Sequence, residues 1–253
     1  MTQTDLFRKQ FFPSVSATQW RDWHWQLANR LRTAEQISRF FSLTEDEKAA
    51  LQQSELFPTA LTPYYASLLA NSPLRKTMLP SLKEKSISEG ETEDPLGEEP
   101  CMVANGLVHR YPDRVLFLTT EFCSCYCRYC TRSRRVGRHA DCYSDAGLKQ
   151  RWQPAFEYIR KHKEVRDVLI SGGDPLTMSD EMLDYLLHSL REIRHVEIIR
   201  IGSKVPAVLP MRITPSLMAI RRGMWSRITQ ISPSGALQVS ETASNEPKSF
   251  SGV

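Results

Sequence analysis

Three of the six cysteines in this chain of 253 residues, Cys123, Cys127 and Cys130, fall within eight residues in the spacing C-x3-C-x2-C. Three thiolates on one short loop can share a polynuclear centre, and soft sulfur ligands select iron–sulfur clusters or zinc. A structural zinc takes four closed ligands, and no nearby histidine completes that set. A four-iron cluster held by three cysteines leaves one iron open to a further ligand. An iron–sulfur centre is the expectation, and a zinc module is the alternative that metal analysis separates from it. Cys125 forms C-x-C pairs with both neighbours, but on an extended segment its side chain points away from theirs, so it is not expected to be a ligand. Cys101 and Cys142 stand alone and read as structural.

Two other groups could do chemistry. Gly172-Gly173-Asp174-Pro175 is a turn whose glycines permit close backbone approach. On its own such a turn is more often a tight βα loop than a ligand cradle. Arginines cluster at Arg110 and Arg114, and again at Arg128, Arg132, Arg134, Arg135 and Arg138. Without further context these read as a solvated basic surface. A net charge of +4, from 33 Lys+Arg against 29 Asp+Glu, does not by itself imply nucleic acid.

The elements around these groups follow from pattern. Val115 to Thr119 is a short apolar run immediately before the cysteines, and a helical stretch from about Ser144 to His162 follows them. Val168 to Ser171 is a second run ending in the glycine turn, followed by a helix from about Asp180 to Arg194. Val196 to Ile201 is a third, with another helix beginning near Pro215. Alternating buried-type strands and helices predict βαβ units around a parallel sheet.

Upstream, residues 1–100 read as a helical N-terminal region and linker. Trp20, Trp23, Leu27 and Leu31 recur at spacings of three and four, predicting one helix with an apolar core-packing stripe. Thr33-x-x-Gln36 and Thr44-x-x-Glu47 fit capping boxes that start two more helices. Ser81 to Pro100 is polar, acidic and punctuated, as a linker or long surface loop is. From Gly223 onward the aliphatic pattern fails, so 223–253 is expected to be a disordered, divergent tail. That leaves 101–222 as the core, with about three βα units. The third strand is then expected to be an open parallel edge.

At 41% hydrophobic and 25% charged, the composition is that of a globular protein rather than a disordered, collagenous or coiled-coil chain. No apolar run approaches the roughly 20 residues of a membrane span. Met1 to Gln10 lacks the layout of a signal peptide, so a cytoplasmic location is the default. The length approaches the roughly 250 residues of a complete eight-unit barrel, but placement of the motifs leaves room for only the first three units.

The C-x3-C-x2-C spacing resembles the radical S-adenosylmethionine (SAM) superfamily. The flanking segments narrow the resemblance to the lysine 2,3-aminomutase family: His109 to Phe117, Cys123 to Arg132, Asp167 to Pro175, Val196 to Gly202 and Val208 to Thr214, with Leu61-Thr62-Pro63-Tyr64-Tyr65 upstream. It covers about residues 10 to 220. The resemblance implies a partial radical-SAM (β/α) barrel in which Cys123, Cys127 and Cys130 hold a 4Fe-4S cluster whose open iron chelates SAM. It implies that Gly172, Gly173 and Asp174 contact SAM. It further implies that Arg110, Tyr111 and Arg114 contact pyridoxal phosphate (PLP), and that Arg132 grips the carboxylate of a small amino acid substrate. A basic run beside two anionic ligands needs no nucleic acid. Relatives of this kind interconvert L-lysine and L-β-lysine, can be homo-oligomers and need an electron donor.

The family's PLP lysine lies in a downstream glycine-rich segment that has no counterpart here, and Lys204 does not match it. The downstream acidic residues that read the substrate's ε-amino group and a later zinc-binding cysteine set are also without counterparts. The catalytic lysine is therefore unassigned, and the chain is expected to be C-terminally truncated and inactive as an aminomutase. A related aminomutase of other amino acid or protein-lysine specificity, or a non-catalytic iron–sulfur or interaction protein, are the alternatives.

Overall fold

A computed structural model describes residues 2–69, 73–86, 88–138, 144–222 and 228–231, with side chains up to residue 220. Its centre is a six-stranded sheet in sequential order: β1 (Met102–Ala104), β2 (Leu107–Tyr111), β3 (Arg114–Thr120), β4 (Asp167–Gly172), β5 (Ile198–Gly202) and β6 (Ile228–Ile231). The first three strands pair antiparallel, and β3 to β6 pair parallel. The sheet is an open arc and not a closed barrel.

Helices of two regions surround it. Six precede the sheet: α1 (Gln3–Phe11), α2 (Ala17–Trp20), α3 (Trp23–Ala28), α4 (Ala34–Ser38), α5 (Glu45–Leu51) and α6 (Pro63–Leu69). Four follow β3 and make the crossovers: α7 (Asp145–Lys161), α8 (Asp180–Arg191), α9 (Val205–Val208) and α10 (Pro215–Arg222). No described helix is long and apolar enough to cross a membrane.

Period-two alternation sorts the two faces of the parallel strands. Val115, Phe117, Val168, Ile170, Ile199 and Ile201 are buried and share one face. There Phe117 meets Trp152 and Phe156 of α7 edge-on, with ring centroids 6.3 and 5.8 Å apart. Each such aliphatic or aromatic burial contributes roughly 1.5–3 kcal/mol. The opposite, concave face carries Leu116, Leu169 and Arg200 in register, and it is the face that holds the site.

The three strands and helices α7, α8 and α10 lie where their patterns predict, and the short α9 is an addition to them. Ser144 and Ser179 cap α7 and α8, and both predicted capping boxes start α4 and α5. Three expectations change. The tryptophan stripe is not one helix: Asp22 accepts a hydrogen bond from His24 N and restarts the helix, and Leu31 leaves it altogether to bridge Leu61. The antiparallel β1–β2 hairpin was not foreseen, although Asn105-Gly106 between apolar runs is a strong turn signal. Gly106 has φ +79°, and a Cβ there would lie 2.6 Å from the Leu118 carbonyl oxygen. Finally, β5 is not an edge, because Ile228–Ile231 pairs with it in parallel as a fourth strand. The rest of the expected tail, residues 223–227 and 232–253, lies outside the described residues, as does Cys142.

Candidate functional site

The cysteine loop leaves the C-terminal end of β3 and is pinned from both sides. On the core side, Thr120 Oγ1 accepts from Phe122 N at 3.2 Å. The buried Glu121 carboxylate takes hydrogen bonds from Arg151 at 3.0 Å and Arg135 at 3.1 Å. On the N-terminal side, Tyr126 N donates to the Ala60 carbonyl at 3.0 Å and Arg128 N to that of Thr77 at 2.8 Å. The Arg128 guanidinium donates to the carbonyls of Phe57 and Pro58 at 2.8 and 3.1 Å, and its Nε to Glu84 at 3.0 Å. Arg128 is thus a clasp between the two regions and not part of a surface patch.

Gly172 and Gly173 bring the end of β4 onto this loop. Gly173 N donates to the Thr120 carbonyl at 2.6 Å and Asp174 N to that of Phe122 at 2.8 Å. Gly172 adopts φ +111°, and a Cβ on it would lie 2.3 Å from Thr120 O; a Cβ on Gly173 would lie 2.3 Å from Phe122 O. Only glycine fits either position without a shift of backbone. Two motifs separated by some forty residues of helix and loop are therefore stitched together by backbone.

Between them opens a cavity of about 300 Å³ lined by Cys123, Cys127, Cys130, Gly172, Gly173, Asp174, Ser203 and Lys204. Burial, with Asp174 and Cys130 adding to it, pushes the Cys123 thiol well above its ordinary range, and burial also raises Cys130. Cys127 Sγ accepts a hydrogen bond from Lys204 Nζ at 3.1 Å, and Lys204 also reaches Tyr129 Oη at 2.5 Å. Burial opposes the charge on Lys204, but Cys127 and Tyr129 outweigh it and hold the ammonium well above its usual range. Among the described residues no group of three or more His, Cys, Asp or Glu side chains converges as a single metal ion would require. The three thiols line one cavity from separate positions.

Cys125 also lines this cavity, but its sulfur is engaged by Thr62. It is buried in the hydrophobic core, with Thr62 N donating to its sulfur at 3.4 Å. Burial raises its thiol to about 11 against the opposing Thr62 contacts. Asp174 lines the cavity, yet its carboxylate accepts from Ser203 Oγ at 2.7 Å, Lys204 N at 2.7 Å, Val205 N at 3.0 Å and Leu176 N at 3.1 Å. Burial raises this carboxyl in spite of those donors. Its side chain ties the loop after β5 to the loop after β4.

A second cavity, of about 230 Å³, opens on the concave face and is lined by Arg110, Tyr111, Arg114, Arg132, Glu98, Leu116 and Leu169. Arg132 lines both cavities. Its Nε donates to Glu98 at 2.9 Å, and its Nη1 lies 3.4 Å from Ser171 Oγ. Arg110 donates to the Leu96 carbonyl at 2.7 Å. Arg114 stands 3.6 Å from Asp167 and 5.7 Å from the ring centroid of the exposed Tyr111.

Sequence reasoning missed three contributors. Glu98 lies in a stretch read as linker but is buried, Lys204 carried no role, and Arg200 hides within an apolar run. Arg200 Nε donates to Asp167 at 3.0 Å and so shares its carboxylate with Arg114. The available signal is the lone charge in Ile198-Ile199-Arg200-Ile201, which a fully buried strand would not carry unpaired.

The chain that carries this strand-end thiol triplet, glycine turn and arginine-lined cavity is similar in sequence to aminomutases. L-lysine 2,3-aminomutase of Clostridium subterminale is 46% identical over 216 residues, 83% of this chain and 51% of the relative. That of Fusobacterium nucleatum is 47% identical over 215 residues, 83% and 50% of the two chains. Glutamate 2,3-aminomutase of Clostridioides difficile is 36% identical over 215 residues, 82% and 50%. No family model matches. The chain belongs to the lysine 2,3-aminomutase family, and it spans about half the length of the curated relatives it matches.

Proposed function

We propose that this chain binds a 4Fe-4S cluster through Cys123, Cys127 and Cys130 and holds SAM against the Gly172-Gly173 turn, for the radical chemistry of an amino acid 2,3-aminomutase. The observation that carries the reading is the backbone stitching of the cysteine loop to the glycine turn around one cavity. Three cysteines lining one cavity suit a cluster in which each takes its own iron. When bound, the cluster supplies the electron that breaks a carbon–sulfur bond of SAM.

This chain's residues then have separable tasks. The three thiols give up their protons on binding. Gly172 and Gly173, which pack without side chains against the backbone of the cysteine loop, would present backbone groups to the ammonium of SAM. Asp174 sets the position of Lys204 by accepting from its backbone N–H. Arg110, Tyr111 and Arg114 form a cradle for the phosphate of PLP, for which a guanidinium fork is suited. Arg132, between the two cavities, would hold the substrate carboxylate. No lysine lines the second cavity among the described residues, and Lys204 is engaged by Cys127 and Tyr129, so covalent PLP attachment is not assigned to any residue. The polypeptide of 253 residues is accordingly expected to cleave SAM without converting lysine to β-lysine.

Anaerobic reconstitution tests this reading. About four irons per chain, with dithionite-dependent release of 5′-deoxyadenosine and methionine from SAM, is the expected result. One zinc and no iron, or iron uptake without SAM cleavage, would overturn it. Conversion of lysine to β-lysine at ordinary enzymatic rates would refute the inactivity of the isolated polypeptide.

A further inference from the structure

The cysteine loop is also gripped by Arg30, just beyond α3, which no motif singles out. Arg30 is only 7% exposed. Its Nη1 donates to the backbone carbonyl of Cys123 at 2.9 Å and its Nε to that of Leu27 at 3.2 Å. The guanidinium lies 4.2 Å from the centroid of the Phe122 ring and 6.0 Å from that of Tyr126. Its partners are two carbonyls, the Phe122 ring and Tyr126, with which it also has a side-chain hydrogen bond, and among the described residues no carboxylate pairs with it. A buried cation is costly unless something compensates it. Aromatic faces and carbonyls offset part of that cost here, and the charge stays directed at the loop that carries the first cysteine.

We infer that Arg30 is a positioning residue for the cluster: it fixes the Cys123 end of the loop and places a permanent positive charge beside the cluster, favouring the reduced state. The inference rests on the assignment of Cys123, Cys127 and Cys130 as cluster ligands. Reduction adds one negative charge, and the attraction between that charge and a fixed cation is stronger in a poorly solvated site than it is across water. Hydrogen bonding and burial around the ligating cysteines are recognised determinants of cluster potential. Arginine suits the position because it stays charged when buried and stacks flat on an aromatic ring.

The test uses the full chain, reconstituted anaerobically with iron and sulfide, unchanged and as R30Q and R30K. Glutamine keeps a donor and removes the charge, whereas lysine keeps the charge and removes the flat stack. Redox titration followed by electron paramagnetic resonance should show R30Q about tenfold less reduced at a given potential, which is a shift of ~59 mV for one electron. R30K should stay within about threefold of the unchanged protein, or ~28 mV. Release of iron to a chelator should quicken about tenfold in R30Q and about threefold in R30K, the smaller effect reflecting the retained charge. An unmoved potential in R30Q, with or without faster release, overturns the inference, because a purely structural arginine would alter retention alone. If circular dichroism shows that R30Q does not fold, R30K decides: unchanged iron release in that variant overturns the positioning role. If the unchanged protein takes up no iron, it is the cluster assignment that has failed, and the role of Arg30 falls with it.

Discussion

The two cavities on the concave face differ in how far their polar groups are already committed. In the cysteine cavity, backbone contacts fix the frame while the thiols face the space between loop and glycine turn. In the arginine cavity the cations are tied to protein acceptors: Arg110 to Leu96, Arg132 to Glu98, and Arg114 beside an Asp167 that Arg200 also holds. A ligand entering the first has only to displace protons and the Lys204 contact. An anion entering the second has to compete with carboxylates and carbonyls for every guanidinium. The first cavity is organised by shape, the second by charge already balanced.

The largest effect expected of that difference is on metal content. Cys123→Ser, Cys127→Ser or Cys130→Ser should reduce iron from about four per chain to near zero. Cys125→Ser should leave iron unchanged and lower stability by about 1–2 kcal/mol, because it buries a hydroxyl in place of a weakly polar thiol. Iron assay and chemical denaturation read the two outcomes separately. Equal iron loss in Cys125→Ser would erase the distinction between Cys125 and its neighbours.

Next comes the frame. In Gly173→Ala the added Cβ must displace the Phe122 carbonyl, so about 2–3 kcal/mol of stability should be lost together with at least a tenfold loss of SAM affinity, measured by thermal melting and equilibrium dialysis. Loss of stability with SAM affinity intact would separate the glycine turn from the SAM site. On the other side of the comparison, Asp167→Asn removes the carboxylate shared by Arg200 and Arg114. Asp167 is buried while Arg200 is partly exposed, so the cost should fall somewhat below that of a fully buried pair, at about 2–3 kcal/mol. Iron content should not change. Iron loss in Asp167→Asn would show that the two cavities are mechanically coupled along β4.

What could be read in the sequence is what is local. The cysteine spacing, the serine and threonine caps and the period-two runs each depend on residues within a few positions, and the structure keeps them. The tryptophan stripe misleads because Asp22, a capping residue inside the apparent helix, competes with the hydrophobic period and wins. Arg200 and Glu98 escape notice for a different reason. Their partners are 33 and 34 residues away, and only the β4–β5 register or the return of the linker across the cavity reveals the pairing. Arg30, 93 residues from Cys123, is the extreme case. The helical N-terminal region looks like a separate packing unit in the sequence, yet Ala60, Thr77 and Arg30 supply much of what holds the cysteine loop.

The smallest expected effect tests the second cavity most directly. Glu98 is 3% exposed and accepts from Arg132 Nε at 2.9 Å and from Arg134 Nη2 at 3.1 Å. It therefore screens the positive charge that an incoming anion would meet, and it also holds Arg132 in its present direction. Glu98→Gln keeps the shape and much of the hydrogen bonding but removes the charge. If screening dominates, affinity for inorganic phosphate, followed by phosphorus magnetic resonance, should rise about fivefold, equivalent to roughly 1 kcal/mol. Stability should fall by more, about 2–3 kcal/mol as for Asp167→Asn, because two largely buried guanidiniums lose their shared counter-charge. Weaker phosphate binding in Glu98→Gln would show that Glu98 aims Arg132 more than it screens it. The arginine cavity would then be a preorganised site like the cysteine cavity, and the contrast in charge commitment between the two would disappear.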